Sequence, residues 1–164
     1  MITNNKAKSQ TSENFPLPAA DAIALLKADH KAVAGLFADY EDARSATRKK
    51  AIVSEICTAL TLHIQIEEEI FYPDVKAVIS DKLMIPEATV EHAGVKALID
   101  QLEGVEPGGE LYDARVRVLA EYVKHHVKEE HNEMFPKVKE SSLDLVELGM
   151  RMAARKNELM SAKN

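Results

Sequence analysis

The feature that most constrains this chain is a pattern written twice. Residues 62–73 read LHIQIEEEIFYP and residues 126–136 read HVKEEHNEMFP. Each gives His-x-x-x-Glu and, five residues after the glutamate, an aromatic residue followed by proline. The repetition extends upstream, where DHKAVAGLFADYE (29–41) aligns without gaps on EHAGVKALIDQLE (91–103). Both begin acid-His and share Val33 with Val95, Leu36 with Leu98 and Glu41 with Glu103. His30 precedes His63 by 33 residues and His92 precedes His126 by 34. The chain therefore holds two copies of one helix pair, and two such pairs build a pseudo-symmetric four-helix bundle.

Apolar spacing supports helices throughout. Ile23, Leu26, Val33, Phe37 and Tyr40 form one stripe, with Pro18 as a first-turn residue. Ile52, Ile56, Leu60, Ile66 and Ile70 form a second, over a helix from about Arg44 to Phe71 that Pro73 is expected to break or kink. A third helix starts near Pro86 and ends before GVEPGG, the strongest loop signal in the chain. A fourth runs from about Glu110 to Phe135, stopped by Pro136. The segment SLDLVELGMRMAARKNELM then predicts an amphipathic terminal helix packed outside the others. No segment alternates with period two for long enough to make a strand. The expected fold is all-α: an up-down-up-down four-helix bundle over residues 18–140, a C-terminal helix over 141–164, and a polar, disordered arm over 1–17.

Six polar side chains fall on the core-facing stripes. His30 lies seven after Ile23 and seven before Phe37; His63 lies seven after Ile56 and seven before Ile70. His92 precedes Ile99 by seven and His126 follows Leu119 by seven. Glu67 and Glu130 each follow a histidine by one turn, offset about 40° around the helix and about 6 Å along it. A lone buried carboxylate costs several kcal/mol of desolvation, so the six must be paired. A metal cation solves this by accepting imidazole lone pairs and neutralising the carboxylates. Four imidazoles and two carboxylates are too many for one tetrahedral zinc and suit two metals; iron is favoured, with manganese or zinc as alternatives.

These residues resemble the motif of the hemerythrin-like, HHE cation-binding family, in a bacterial-type single-domain form. The family's order of His, His-x-x-x-Glu, His, His-x-x-x-Glu is met by His30, His63 with Glu67, His92, and His126 with Glu130, and FYP and MFP also look like the family. The resemblance covers roughly residues 20–140. It implies two non-haem iron ions, oxo- or hydroxo-bridged, with His30 and His63 on one, His92 and His126 on the other, and both glutamates bridging. The chain departs from the oxygen carriers of the family. They have a second histidine one turn beyond the one on helix three, where Lys96 stands here, and their helix-four carboxylate at the position of His131. Each metal then keeps an open position, which argues against reversible oxygen carriage. It favours action on, or binding of, peroxide, oxygen or nitric oxide, including catalase-like or oxidase chemistry. Iron storage or donation, and oxygen or redox sensing without turnover, remain alternatives. A ferritin-like site would need Glu-x-x-His, with the carboxylate first and three apart; here histidine comes first, four apart.

Other residues are expected to be structural. His125 points about 100° from His126 and reads as a surface residue. His131, Glu68, Glu69 and Glu129 read as a solvated face, with a secondary or substitute-ligand role for His131 as the alternative. Lys96 snorkels to solvent, Tyr122 packs in the core or approaches the metals, and Cys57 is a small core hydrophobe. One cysteine excludes an internal disulfide and a cysteine-based metal site. A formal charge of −6 argues against a nucleic-acid partner. No run approaches the roughly 20 apolar residues of a membrane span, and the first residues carry no apolar signal core, so a cytoplasmic protein is expected.

Overall fold

The computed structural model describes residues 21–163. The predicted arm and Pro18 lie outside these residues. Helices α1 (Ala22–Asp42) and α2 (Ala46–Ile66) form one antiparallel pair, and α4 (Met84–Leu102) and α5 (Glu110–Glu129) form the other. The fold is the up-down-up-down bundle, with no strand among the described residues. Helix α7 (Leu145–Ala162) packs across α1 and α2.

Local chemistry fixes the helix ends. Asp21, Ser45 and Asp144 each sit in extended backbone before a helix and accept a hydrogen bond from the amide three residues on. Pro86 falls in the first turn of α4, where a missing N–H costs no helical hydrogen bond. After α4, Gly104 and Gly108 turn the chain with φ of 72° and 117°, a region that favours glycine.

Pro73 and Pro136 do not end their helices, contrary to the sequence expectation. A five-residue π turn, Glu67–Phe71, follows α2 and leads into α3 (Tyr72–Val78). Its counterpart, Glu130–Met134, joins α5 to α6 (Phe135–Glu140). In both, the amide after the turn donates to the glutamate carbonyl five residues back: Tyr72 to Glu67 and Phe135 to Glu130. Each proline then occupies the first turn of the continuing segment, where its missing N–H is tolerated. A π turn inside a long helix often marks a functional position. Here each one begins at the glutamate of His-x-x-x-Glu.

The core has two apolar halves. One contains Leu26, Ile66, Phe71, Val75, Ala88, Met134, Phe135, Leu148 and Met152. The other contains Val33, Ile52, Ile56, Cys57, Leu60, Val95, Ile99, Val116 and Leu119. Between them along every bundle helix stands a polar residue: His30 between Leu26 and Val33, His63 between Leu60 and Ile66, His92 between Ala88 and Val95, His126 between Leu119 and Met134. The bundle thus carries one buried polar layer across its middle.

Candidate metal centre

All six residues singled out by the repeat lie in that layer, and each is buried: His30, His63, Glu67, His92, His126 and Glu130. The histidines meet in two pairs through their inner nitrogens. His30 Nε2 lies 3.1 Å from His63 Nε2, and His92 Nε2 lies 3.1 Å from His126 Nε2. The glutamates stand between the pairs. Glu67 Oε1 is 2.9 Å from His63 Nε2 and 3.3 Å from His92 Nε2. Glu130 Oε1 is 3.2 Å from His30 Nε2 and 3.3 Å from His126 Nε2.

The outer nitrogens are all engaged. His63 Nδ1–H donates to Asp29 (3.0 Å), His92 Nδ1–H to Glu68 (3.0 Å) and His126 Nδ1–H to Glu91 (2.9 Å). His30 Nδ1 shares a hydrogen bond with His131 Nε2 at 2.8 Å. The three carboxylates fix Nδ1–H on His63, His92 and His126, so in the neutral rings the Nε2 lone pairs face inward. Both Glu67 carboxylate oxygens and Glu130 Oε1 are buried without an aligned hydrogen-bond donor. Converging imidazole lone pairs and donor-less buried carboxylates are unfavourable in a protein interior by themselves. They are the donor set a cation requires, and the set fits a metal site.

Without a metal the layer balances its charge with protons. Burial pushes His63 down, but the Glu67 carboxylate and the bond to Asp29 outweigh it and raise it to about 10. Burial likewise opposes charge on His126, while Glu130 beside it and the bond to Glu91 raise it to about 9. Burial pushes Glu67 up, and the charge of His63 holds it well below the usual carboxylate range.

Among the surrounding residues, Glu68, His131 and Tyr122 differ from the sequence expectation, while His125 and Cys57 agree with it. Glu68 is no bystander on a solvated face: it holds His92 and takes a 2.7 Å bond from Lys96. His131 is half-buried against His30, the position in the second repeat that Glu68 occupies in the first. Glu69 leaves the site and pairs with Arg155 on α7. Tyr122 is exposed, its ring packed over Gly94, and it neither fills the core nor reaches the layer. His125 is a surface residue, between Glu91 and Glu129, and Cys57 is buried.

The sequence reading missed Tyr72. Its hydroxyl lies 3.1 Å from His126 Nε2 and 3.2 Å from both His92 Nε2 and Glu130 Oε2. Burial and the two glutamates push this phenol well above its ordinary range. In an unbroken α-helix, residues five apart point about 140° apart, so Tyr72 and Glu67 would diverge. The π turn brings them to the same layer, and Phe135 takes the matching place stacked 6.1 Å from His30. The two histidine pairs are therefore not equally open: a hydroxyl stands beside one and a bare ring beside the other. Asp29 was visible only as the acid of acid-His. It also takes a 2.5 Å bond from Lys156, which ties α7 to the layer.

A buried layer of paired histidines joined by two glutamates, spanning a four-helix bundle, defines a class of helical cation-binding domain. The chain belongs to the family described as hemerythrin HHE cation binding domain, which matches residues 21–138. The fold is similar to the crystal structure of a hemerythrin HHE cation binding domain-containing protein, the Rv2633c homolog from Mycobacterium kansasii. The TM-score is 0.76 at 26% identity, covering 87% of this chain and 89% of that one. The sequence is also similar to a DNA nickase from Nostoc sp. (strain PCC 7120 / SAG 25.82 / UTEX 2576), at 27% identity over 133 residues. That match takes in 81% of this chain but only 37% of the nickase. No described helix is long and apolar enough to cross a membrane.

Proposed function

We propose that the polar layer holds two iron ions and that the centre acts on or binds a small oxidant: peroxide, oxygen or nitric oxide. In this reading His30 and His63 would hold one metal and His92 and His126 the other, with Glu67 and Glu130 as the carboxylates that would neutralise them. Tyr72 adds an oxygen donor beside His92 and His126. When bound, such a pair supplies two-electron redox chemistry on a small ligand.

The observation that carries the reading is the cavity against this layer. It has a volume of about 20 Å³, and all four histidines line it. Its other walls are Val33, Leu60, Ile64, Val95, Val123, Val127 and Asp29, whose carboxylate is already engaged by His63 and Lys156. The aliphatic walls admit a small neutral molecule, and apart from the imidazoles Asp29 is the one polar wall. Small-molecule sites for organic ligands run to several hundred Å³. Asp29, Glu68, Glu91 and His131 hold the imidazole rings in place from outside, so the inner nitrogens need no rearrangement to bind.

The Nostoc nickase is a much longer protein, and DNA nicking is not part of this reading: a chain with a formal charge of −6 is poorly suited to gathering phosphates. The test is to measure iron per chain, take spectra without and with air, then add hydrogen peroxide and follow oxygen. In disproportionation one peroxide is oxidised to oxygen while a second is reduced to two waters. About two irons per chain with oxygen evolution supports turnover. Two irons without turnover moves the assignment to a sensor or an iron-handling protein. Folded protein that takes up no iron overturns the reading.

A further inference from the structure

The polar layer has a second approach, of opposite character to the apolar cavity. A small cleft beside α4 and the second π turn reaches it, with a volume of about 40 Å³, room for a cation with one or two waters. Six of its walls are carboxylates: Asp81, Glu87, Glu91, Glu129, Glu133 and, at the layer itself, Glu130. Among the described residues no lysine or arginine lines it; Lys137 pairs with Asp81 at 3.5 Å, leaving five carboxylates without a lysine or arginine partner along the cleft.

Acidic surface alone says little, but two further observations concern its inner end and its solvent side. Glu130, 1% exposed, lines the cleft, and its buried Oε1 has no aligned hydrogen-bond donor, only the layer nitrogens His30 Nε2 and His126 Nε2 at 3.2 and 3.3 Å. On the solvent side, Glu91, His125 and Glu129 bring one ligand atom each within 4.8 Å of one another. His125 Nε2 is 3.3 Å from Glu91 Oε2 and 3.2 Å from Glu129 Oε1. The other Glu91 oxygen accepts from His126 Nδ1. One carboxylate therefore links an outer three-ligand cluster to a histidine of the inner layer.

We propose that this cleft is the route by which ferrous ion reaches the centre, with Glu91, His125 and Glu129 as a transient docking site on the way in. The inference rests on the metal-centre reading above. A low-dielectric cleft lined predominantly by one sign of charge concentrates the opposite ion and raises its arrival rate. A neutral oxidant gains nothing from that field, and the apolar cavity serves it instead. The two approaches thus separate the cation from the ligand it later meets.

The test uses the full chain, stripped of metal under anaerobic conditions and mixed with ferrous ion alone. Bound iron is counted at intervals after a rapid chelator quench. The variant E87Q/E129Q/E133Q removes charge from the cleft and spares the six residues of the layer. It should load about tenfold more slowly at low ionic strength, yet reach the parent's final iron content. Added salt should slow the parent and leave the variant almost unchanged. A control, D39N/E41Q/D42N, removes three exposed charges from the far end of α1 and should load like the parent. If the triple variant misfolds, His125→Ala, a change at an exposed side chain, should show the same slowing at smaller amplitude. Equal loading rates in cleft variant and parent overturn the route, as does equal slowing in the control. A lower final iron content in the cleft variant also overturns it, since those residues would then be permanent ligands. Parent protein that binds no iron at all fails the centre itself, an outcome distinct from these.

Discussion

Two aligned pairs of residues break the symmetry of the repeat. Tyr72 and Phe135 occupy matching positions five after each glutamate, and only one carries a hydroxyl. Glu68 and His131 occupy matching positions one after each glutamate, and only one is a carboxylate. The first difference gives the His92–His126 side an extra oxygen. The second gives His92 a charged hydrogen-bond acceptor and His30 an imidazole partner. A carboxylate acceptor raises the basicity of an imidazole toward a metal, and losing such a partner typically costs about 10–100-fold in metal affinity. Glu68→Gln should therefore weaken iron binding by about that factor, read by competition with a chelator. An unchanged affinity would mean that Glu68 does not support His92 in solution. Tyr72→Phe keeps the ring stacked 5.2 Å from His92 and removes only the hydroxyl. The iron-loaded variant should keep its iron content and lose visible phenolate-to-iron absorption. If the parent shows no such band, or the variant keeps it, the phenol is not a ligand.

At the scale of elements, the four bundle helices and the six layer residues were legible because period and repeat point the same way. Seven-residue spacings placed each histidine on an apolar stripe, and burial agrees. What the sequence hid was the π turn, since Pro73 and Pro136 read as stops under α-helical rules. That one error concealed Tyr72, whose position depends on the turn being five residues wide. Glu68 and His131 were misread for a related reason: spacing gives a direction on one helix and cannot show the neighbour that direction meets. Helix α7 was expected as an outer layer, but its link to the centre through Lys156 and Asp29 depends on tertiary packing. Met152, fully buried between α7 and the bundle, tests how firmly that helix belongs to the same folding unit. Met152→Ala should cost about 2–5 kcal/mol, typical of removing such a side chain from a packed core, measured by denaturant titration. A single transition with a lowered midpoint is expected; a cost near zero would mean that α7 contributes little to the fold.

For the whole molecule, the polar layer couples folding, protons and metal. In the metal-free fold His63 titrates at about 10 and His126 at about 9, against 6.5 for an unperturbed imidazole. A raised value means the folded state holds its proton more tightly than the unfolded chain. The stabilisation is complete below about pH 6.5 and is lost as pH climbs through the range of about 9 to 10. Glu67 runs the other way: held below its usual 4.5, it stabilises above that pH and loses its contribution as acid reaches its lowered value. Metal-free protein should therefore be most stable in mildly acidic solution and weaken steadily on the alkaline side. A bound cation needs the imidazole lone pairs, so iron must displace the protons of His63 and His126. Loading at pH 7.5 in weak buffer should acidify the solution. The melting-temperature gap between iron-loaded and metal-free protein should widen from pH 6 to pH 9, because the metal form has no such protons left to lose. Thermal unfolding of both forms across that range, with a pH dye during loading, measures both effects. A constant gap with no proton release would mean that the histidines are already neutral in the metal-free fold.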